Sequence, residues 1–119
     1  MRCRYVEISV IIHATESLDK VFEALRSFFG PLPIVVEVYK GHHGNPIYLA
    51  TSYVEGCDGL LDKLCAAFNG EVPASRGEGE GLYYLRLDKQ DLARGQVRAV
   101  DHDDVVRLKI RTKGNLCSG

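Results

Sequence analysis

Strict alternation over the nine residues 105–113 constrains this chain more than any other feature. Val106, Leu108, Ile110 and Thr112 hold one parity; Arg107, Lys109, Arg111 and Lys113 hold the other. Side chains in a strand point alternately to its two faces, so this segment buries one face and presents a row of cations on the other. Successive cations stand about 6.6 Å apart at a rise of about 3.3 Å per residue. No carboxylate within the segment interrupts the row. The apolar parity needs a covering layer.

Two helices are available to supply it. Leu18, Val21, Phe22, Leu25 and Phe29 recur at helical spacing within residues 16–29, with Asp19, Lys20, Glu23 and Arg26 on the wet side. Thr15 is the expected N-cap, Glu16 and Asp19 suit the positive end of the helix dipole, and Gly30-Pro31 ends the helix. A second helix is expected over residues 58–69, with Leu60, Leu61, Leu64, Cys65 and Phe68 inward and Gly70 as its stop. Strands are expected over 4–14, 34–40, 46–54, 82–87, 97–100 and the basic segment. Residues 41–45 read as a hairpin loop, 71–81 as a mobile loop, 88–94 as a short helical turn and 114–119 as a frayed end.

The order β-α-β-β-α-β-(short α)-β-β describes an α+β two-layer sandwich. Both helices pack on one face of a largely antiparallel sheet and the other face stays free. The 119 residues form one domain, and 45% hydrophobic content is ordinary for a folded soluble protein. No apolar run is long enough to span a bilayer, and residues 8–12 alternate too much for a secretion signal. The expected location is the cytoplasm.

Charge gives the first pointer to a partner. The net charge is only −1, but residues 1–80 hold 7 Lys+Arg against 11 Asp+Glu, and residues 81–119 hold 8 against 5. An acidic body with a basic C-terminal third implies one oriented anion-binding surface. A linear row of cations suits a linear polyanion, RNA foremost. A solvated strand face whose Lys and Arg deter edge pairing accounts for the same residues.

The four cysteines, Cys3, Cys57, Cys65 and Cys117, form no CxxC pair, which argues against zinc. Cys65 reads as a small core residue. Cys3 and Cys117 lie near the termini; they stay reduced in most cytosols and could bridge in a hyperthermophile. Four clusters carry polar chemistry. His13-Ala14-Thr15-Glu16 at a helix start could receive a phosphate, although capping explains it. In residues 41–46, His42, His43 and Asn45 could stack on bases or bond to them. Tyr84 and Arg86 share a strand face, where an aromatic beside a guanidinium can hold a base and a phosphate, with an Arg86–Asp88 pair as the simpler reading. Asp101-His102-Asp103-Asp104 reads as a solvated turn, because consecutive residues converge poorly on one metal.

His13-Ala14-Thr15-Glu16, Lys20-Val21, Ala24-Leu25, the segment from Gly41 to Ile47 and the segment from Leu85 to Gln90 occur in this order in a family of small archaeal proteins. The chain resembles that family from about residue 5 to residue 113. Its members are described as RNA-binding proteins or predicted exosome subunits. Their fold is said to resemble the double-stranded-RNA-binding domain or the ribosomal protein that binds 5S RNA. The resemblance implies an archaeal RNA binder linked to RNA processing or degradation.

The expectation is therefore a non-catalytic RNA-binding domain over residues 1–119, with no cofactor and no metal. Arg107, Lys109, Arg111 and Lys113 carry binding, Arg86, Lys89 and Arg94 lie alongside, and His42, His43 and Asn45 add contacts to bases or sugar. Expected partners are RNA and exosome or ribosome-processing proteins, with no membrane and with a homodimer allowed. The alternatives are a protein-interaction or oligomerisation subunit, and a metal-dependent hydrolase using His42, His43 or His102.

Overall fold

β1 (Cys3–His13) runs through the middle of the molecule, and its alternation shows which way the sheet faces. Val6, Ile8, Val10 and Ile12 are buried, whereas Glu7 and Ile11 are exposed. The computed structural model describes residues 2–41 and 43–117. After β1 come α1 (Leu18–Phe29), β2 (Val35–Lys40), β3 (Pro46–Glu55), α2 (Asp58–Ala67), β4 (Ser75–Arg76), β5 (Leu82–Asp88), α3 (Lys89–Ala93) and β6 (Val105–Thr112). The strands form one antiparallel sheet in the order β2-β3-β1-β6-β5-β4. Three helices cover one face and leave the other open, the expected α+β architecture.

The buried parities of β1, β5 and β6 meet Val21, Leu25 and Phe29 of α1 and Leu60, Leu61 and Leu64 of α2 in one cluster. Leu18, Phe22 and Phe68 pack at its edge, partly buried. α1 starts two residues later than Thr15 would have it. Ser17 is the N-cap, its hydroxyl accepting from the Lys20 amide, because the Glu16 side chain turns back to accept from the His13 amide. Gly30 closes the helix at φ 85, with its N–H donating to the Arg26 carbonyl.

Further expectations change. Residues 97–100 do not form a strand. Ala99 makes a single bridge to Leu87, with the Asp88 amide on the Arg98 carbonyl at 2.9 Å and the Val100 amide on the Arg86 carbonyl at 3.1 Å. β4 is only two residues long and pairs with Tyr83 and Tyr84, and this segment bonds to the β5 edge beyond it. The 71–81 stretch is anchored rather than loose: β4 lies within it, and Gly81, at φ 75, runs so close to the Thr112 carbonyl that a Cβ would collide. The tail up to residue 117 is tied down too; residues 118 and 119 lie outside the described residues. Leu116 is buried, and disulfides join Cys3 to Cys57 and Cys65 to Cys117. Cys65 is thus a bridge, and Cys3 and Cys117 each pair with a residue at an end of α2 rather than with one another. One bridge fastens the start of β1 to the residue before α2; the other fastens α2 to the C-terminal tail.

Candidate nucleic-acid interface

β6 lies between β1 and β5, so its cations run down the open face rather than along a sheet edge. Edge protection therefore does not explain them. Val106, Leu108, Ile110 and Thr112 are buried, and Arg107, Lys109 and Arg111 are half-buried. Lys113, one residue past the strand, is exposed.

The register names those neighbours. Arg107 stands between Arg86 of β5 and Ser9 of β1, Lys109 between Tyr84 and Glu7, and Arg111 between Leu82 and Tyr5. Two guanidiniums side by side repel, and Asp103 relieves this with Oδ1 at 3.4 Å from Arg107 and 3.7 Å from Arg86. That aspartate is 87% exposed, so water screens the pairs and they hold the arginines weakly. Arg111 donates to the Glu80 carbonyl at 3.0 Å. Lys109 has no ion pair among the described residues. Arg4 lines the same surface depression as Arg111 and Lys113. No local pattern marks Arg4; only the pairing of β1 with β6 brings it there.

The face is bipolar. Arg86, Arg107, Lys109 and Arg111 occupy the β5–β6 half, while Glu7, Glu55 and Glu37 share the open parity of β1, β3 and β2. Within the acidic half the Tyr5 and Tyr53 rings stack at 5.3 Å. Burial, then the charges of Glu55 and Glu7, push the Tyr53 hydroxyl above its usual value.

Two expected contacts lie elsewhere. Lys89 is only 4% exposed, and its three ammonium protons are matched by Glu16 at 2.8 Å, Asp104 at 2.8 Å and the Ile11 carbonyl at 3.0 Å. It is a structural lysine with nothing left to give a phosphate. Burial pushes its pKa down, but Asp104 and Glu16 more than offset this and leave it raised. Arg94 caps α3, which packs on α1, and reaches Asp91 at 3.8 Å in the helical layer. His43 and Asn45 are exposed in the β2–β3 hairpin, at the sheet end where β6 begins but two strands away. His42 lies outside the described residues.

The acidic turn has a structural use. Asp88 caps α3 by accepting from the Asp91 amide, and also meets His102 at 2.9 Å and Arg98 at 3.4 Å. These contacts hold the Asp88 carboxyl below the usual range, the Asp91 amide first. Among the described residues, no three His, Cys, Asp or Glu side chains gather as a metal site. Among them, too, no helix is long and apolar enough to cross a membrane.

An antiparallel sheet with helices on one face and a cationic central strand on the other defines an α+β protein with a cationic open face. Comparison with known proteins makes that class specific: the chain belongs to the family described as RNA binding, whose sequence model matches residues 5–112. It is 30% identical to an RNA-binding protein of Pyrococcus abyssi, over 95% of this chain and 84% of that one. An uncharacterised protein of Methanocaldococcus jannaschii is 32% identical over 91% of this chain and 83% of its own. Among solved structures, a DUF54 protein of Methanothermobacter thermautotrophicus is similar at TM-score 0.77 and 26% identity, covering 97% of this chain and 88% of that one. A DUF54 protein of Sulfolobus solfataricus is similar at TM-score 0.72 and 28% identity, covering 91% and 87%.

Proposed function

We propose that this protein is a non-catalytic RNA binder, acting as one unit over residues 1–119 in the cytoplasm, and that RNA lies on the open face along β6. The observation that carries the reading is the row Arg107, Lys109 and Arg111 on a central strand, flanked by Arg86 and extended by Lys113. Phosphates would relieve the repulsion between Arg86 and Arg107 that Asp103 only partly offsets. Membership of the RNA-binding family supports the same ligand. His42, His43 and Asn45 are assigned at most a peripheral contact, and Lys89 and Arg94 none. A role beside RNA-processing or RNA-degrading machinery, an exosome included, rests on the sequence resemblance. The test is a salt titration of the intact protein with RNA: each phosphate neutralised adds about 0.7 to the log–log slope for a single strand. Binding that is absent at low salt would refute the reading.

A second reading, self-association, has its own observation. All of β2 is exposed, including Val35 at 63%, Val38 at 63% and Tyr39 at 49%, and β2 is an edge strand. The Gly41 amide bonds to the Asn45 carbonyl at 2.7 Å, so by ladder alternation Val36, Val38 and Lys40 turn their amides outward. A second copy can pair antiparallel with Val38 opposite Val38 and Glu37 opposite Tyr39, which avoids facing glutamates. Sedimentation should then show a dimer that Val38→Lys dissociates. A monomeric wild type would exclude it.

A further inference from the structure

The open face carries two exposed tyrosines in one cross-strand row, and their surroundings are opposite. The row runs Ser75, Tyr84, Lys109, Glu7, Tyr53 across β4, β5, β6, β1 and β3. Tyr84 is 44% exposed and Tyr53 is 52% exposed. Tyr84 has Lys109 directly opposite, Arg86 next on its own face, and Arg107 and Arg111 on the diagonals. Tyr53 has Glu7 opposite and Glu55 next on its own face, and Tyr5 already stacks on its ring at 5.3 Å.

Tyr84 is also braced. The chain passes so close to its ring at Gly77 that a Cβ there would lie 2.6 Å from Cε2. The Gly77 amide bonds to the Leu82 carbonyl at 2.8 Å, which fixes that approach. One edge of the ring is therefore held by backbone while the residue remains exposed among cations. Among the described residues it has no aromatic partner.

An exposed aromatic flanked by cations is the recurring platform for an unpaired base, whose face stacks while its phosphates are neutralised. A duplex offers no base face to a sheet surface, because its bases are already stacked and its deep groove is closed to side chains. We propose that the open face is a site for single-stranded RNA in which one base stacks on Tyr84, the flanking phosphates lie on Arg107, Lys109 and Arg111, and Glu7 with Glu55 closes the path on the β1–β3 side. This rests on the RNA reading above and adds the strand form, the stacking residue and the boundary.

The chain has no tryptophan and six tyrosines, so stacking can be followed as quenching of tyrosine emission. The probes are an oligouridylate and a blunt RNA duplex of equal length, both at low salt. The intact wild type should prefer the single strand. Tyr84→Leu should weaken single-strand binding about 5- to 100-fold, reduce the quenching and leave the salt slope unchanged. Tyr84→Phe should retain most of the affinity, and Tyr53→Leu should match the wild type. Far-ultraviolet circular dichroism checks that each variant folds. Equal affinity for the two probes, together with no loss in Tyr84→Leu, overturns this inference and leaves RNA binding standing. A loss in Tyr53→Leu as large as that in Tyr84→Leu overturns the acidic boundary. Binding of neither probe by the wild type overturns the RNA reading itself.

Discussion

Replacing Lys89 by Met separates a structural cation from a ligand-binding one. The substitution keeps the length and much of the volume of the side chain, so it adds little cavity cost. It removes the ammonium that bonds Glu16 and Asp104 at 2.8 Å each and the Ile11 carbonyl at 3.0 Å. Breaking a fully buried pair from one side costs about 3–5 kcal/mol. Here the partners differ: the Asp104 side chain is 48% exposed and regains water, whereas the Glu16 side chain is 21% exposed and the Ile11 carbonyl loses its bond. The expected loss is therefore about 2–3 kcal/mol. For 119 residues at about 2.1 cal/mol/K each, 1 kcal/mol moves Tm by about 4 °C. Calorimetry should show a fall of about 8–12 °C for Lys89→Met. The folded variant should bind RNA with the wild-type salt slope. An unchanged Tm, or a slope smaller by about 0.7, would show that Lys89 faces ligand rather than core.

Two other outcomes follow from the same contacts. The disulfides close separate stretches, with sequence separations of 54 and 52 residues, so opening either should cost about 2–4 kcal/mol. A lower denaturant midpoint in Cys57→Ser, and a further fall on reduction, checks this; no change on reduction would mean that the bridges are absent in solution. On the acid side, the carboxyls of Asp88, Asp104 and Glu16 are all held below the usual carboxylate range. The Asp91 amide dominates at Asp88 and Lys89 at Asp104; at Glu16, burial opposes the shift, but the His13 amide and Lys89 prevail. Their folded values lie below their unfolded ones, so their stability is present above about pH 4.5 and lost as pH falls through the folded values. Urea midpoints should be flat near neutrality and fall steeply below about pH 4, and less steeply in Asp88→Asn, which already lacks the Asp88 share of that stability.

The layers and the cationic face were legible in the sequence because each depends on one residue period. The alternation in 105–113 and the helical spacing of Leu18, Val21, Leu25 and Phe29 fix which side of an element is buried, whatever the topology. Strand order is not periodic. That β6 is central, and that Glu7 rather than another cation faces Lys109, follows from pairing between segments about a hundred residues apart. The same non-locality hid Lys89: its partners stand at positions 16 and 104, so nothing near it in sequence marks it as buried. Ser17 rather than Thr15 is the N-cap, with the Glu16 carboxylate turned back to accept from both the His13 amide and Lys89. Residues 97–100 have the composition of a strand but only a short free stretch of β5 edge to pair with. The cysteine pairing likewise depends on where the ends of α2 fall relative to β1 and the tail.

Charge removal on β6 tests the central claim most directly. Arg107, Lys109 and Arg111 face water, so replacing all three by Gln leaves the buried parity of the strand intact. The affinity of the folded triple variant for single-stranded RNA is measured across a range of salt concentrations beside the wild type. If each of these side chains neutralises one phosphate, the log–log slope flattens by about 2 and low-salt affinity falls. A folded variant that binds with the wild-type affinity and slope would place the RNA somewhere other than this strand.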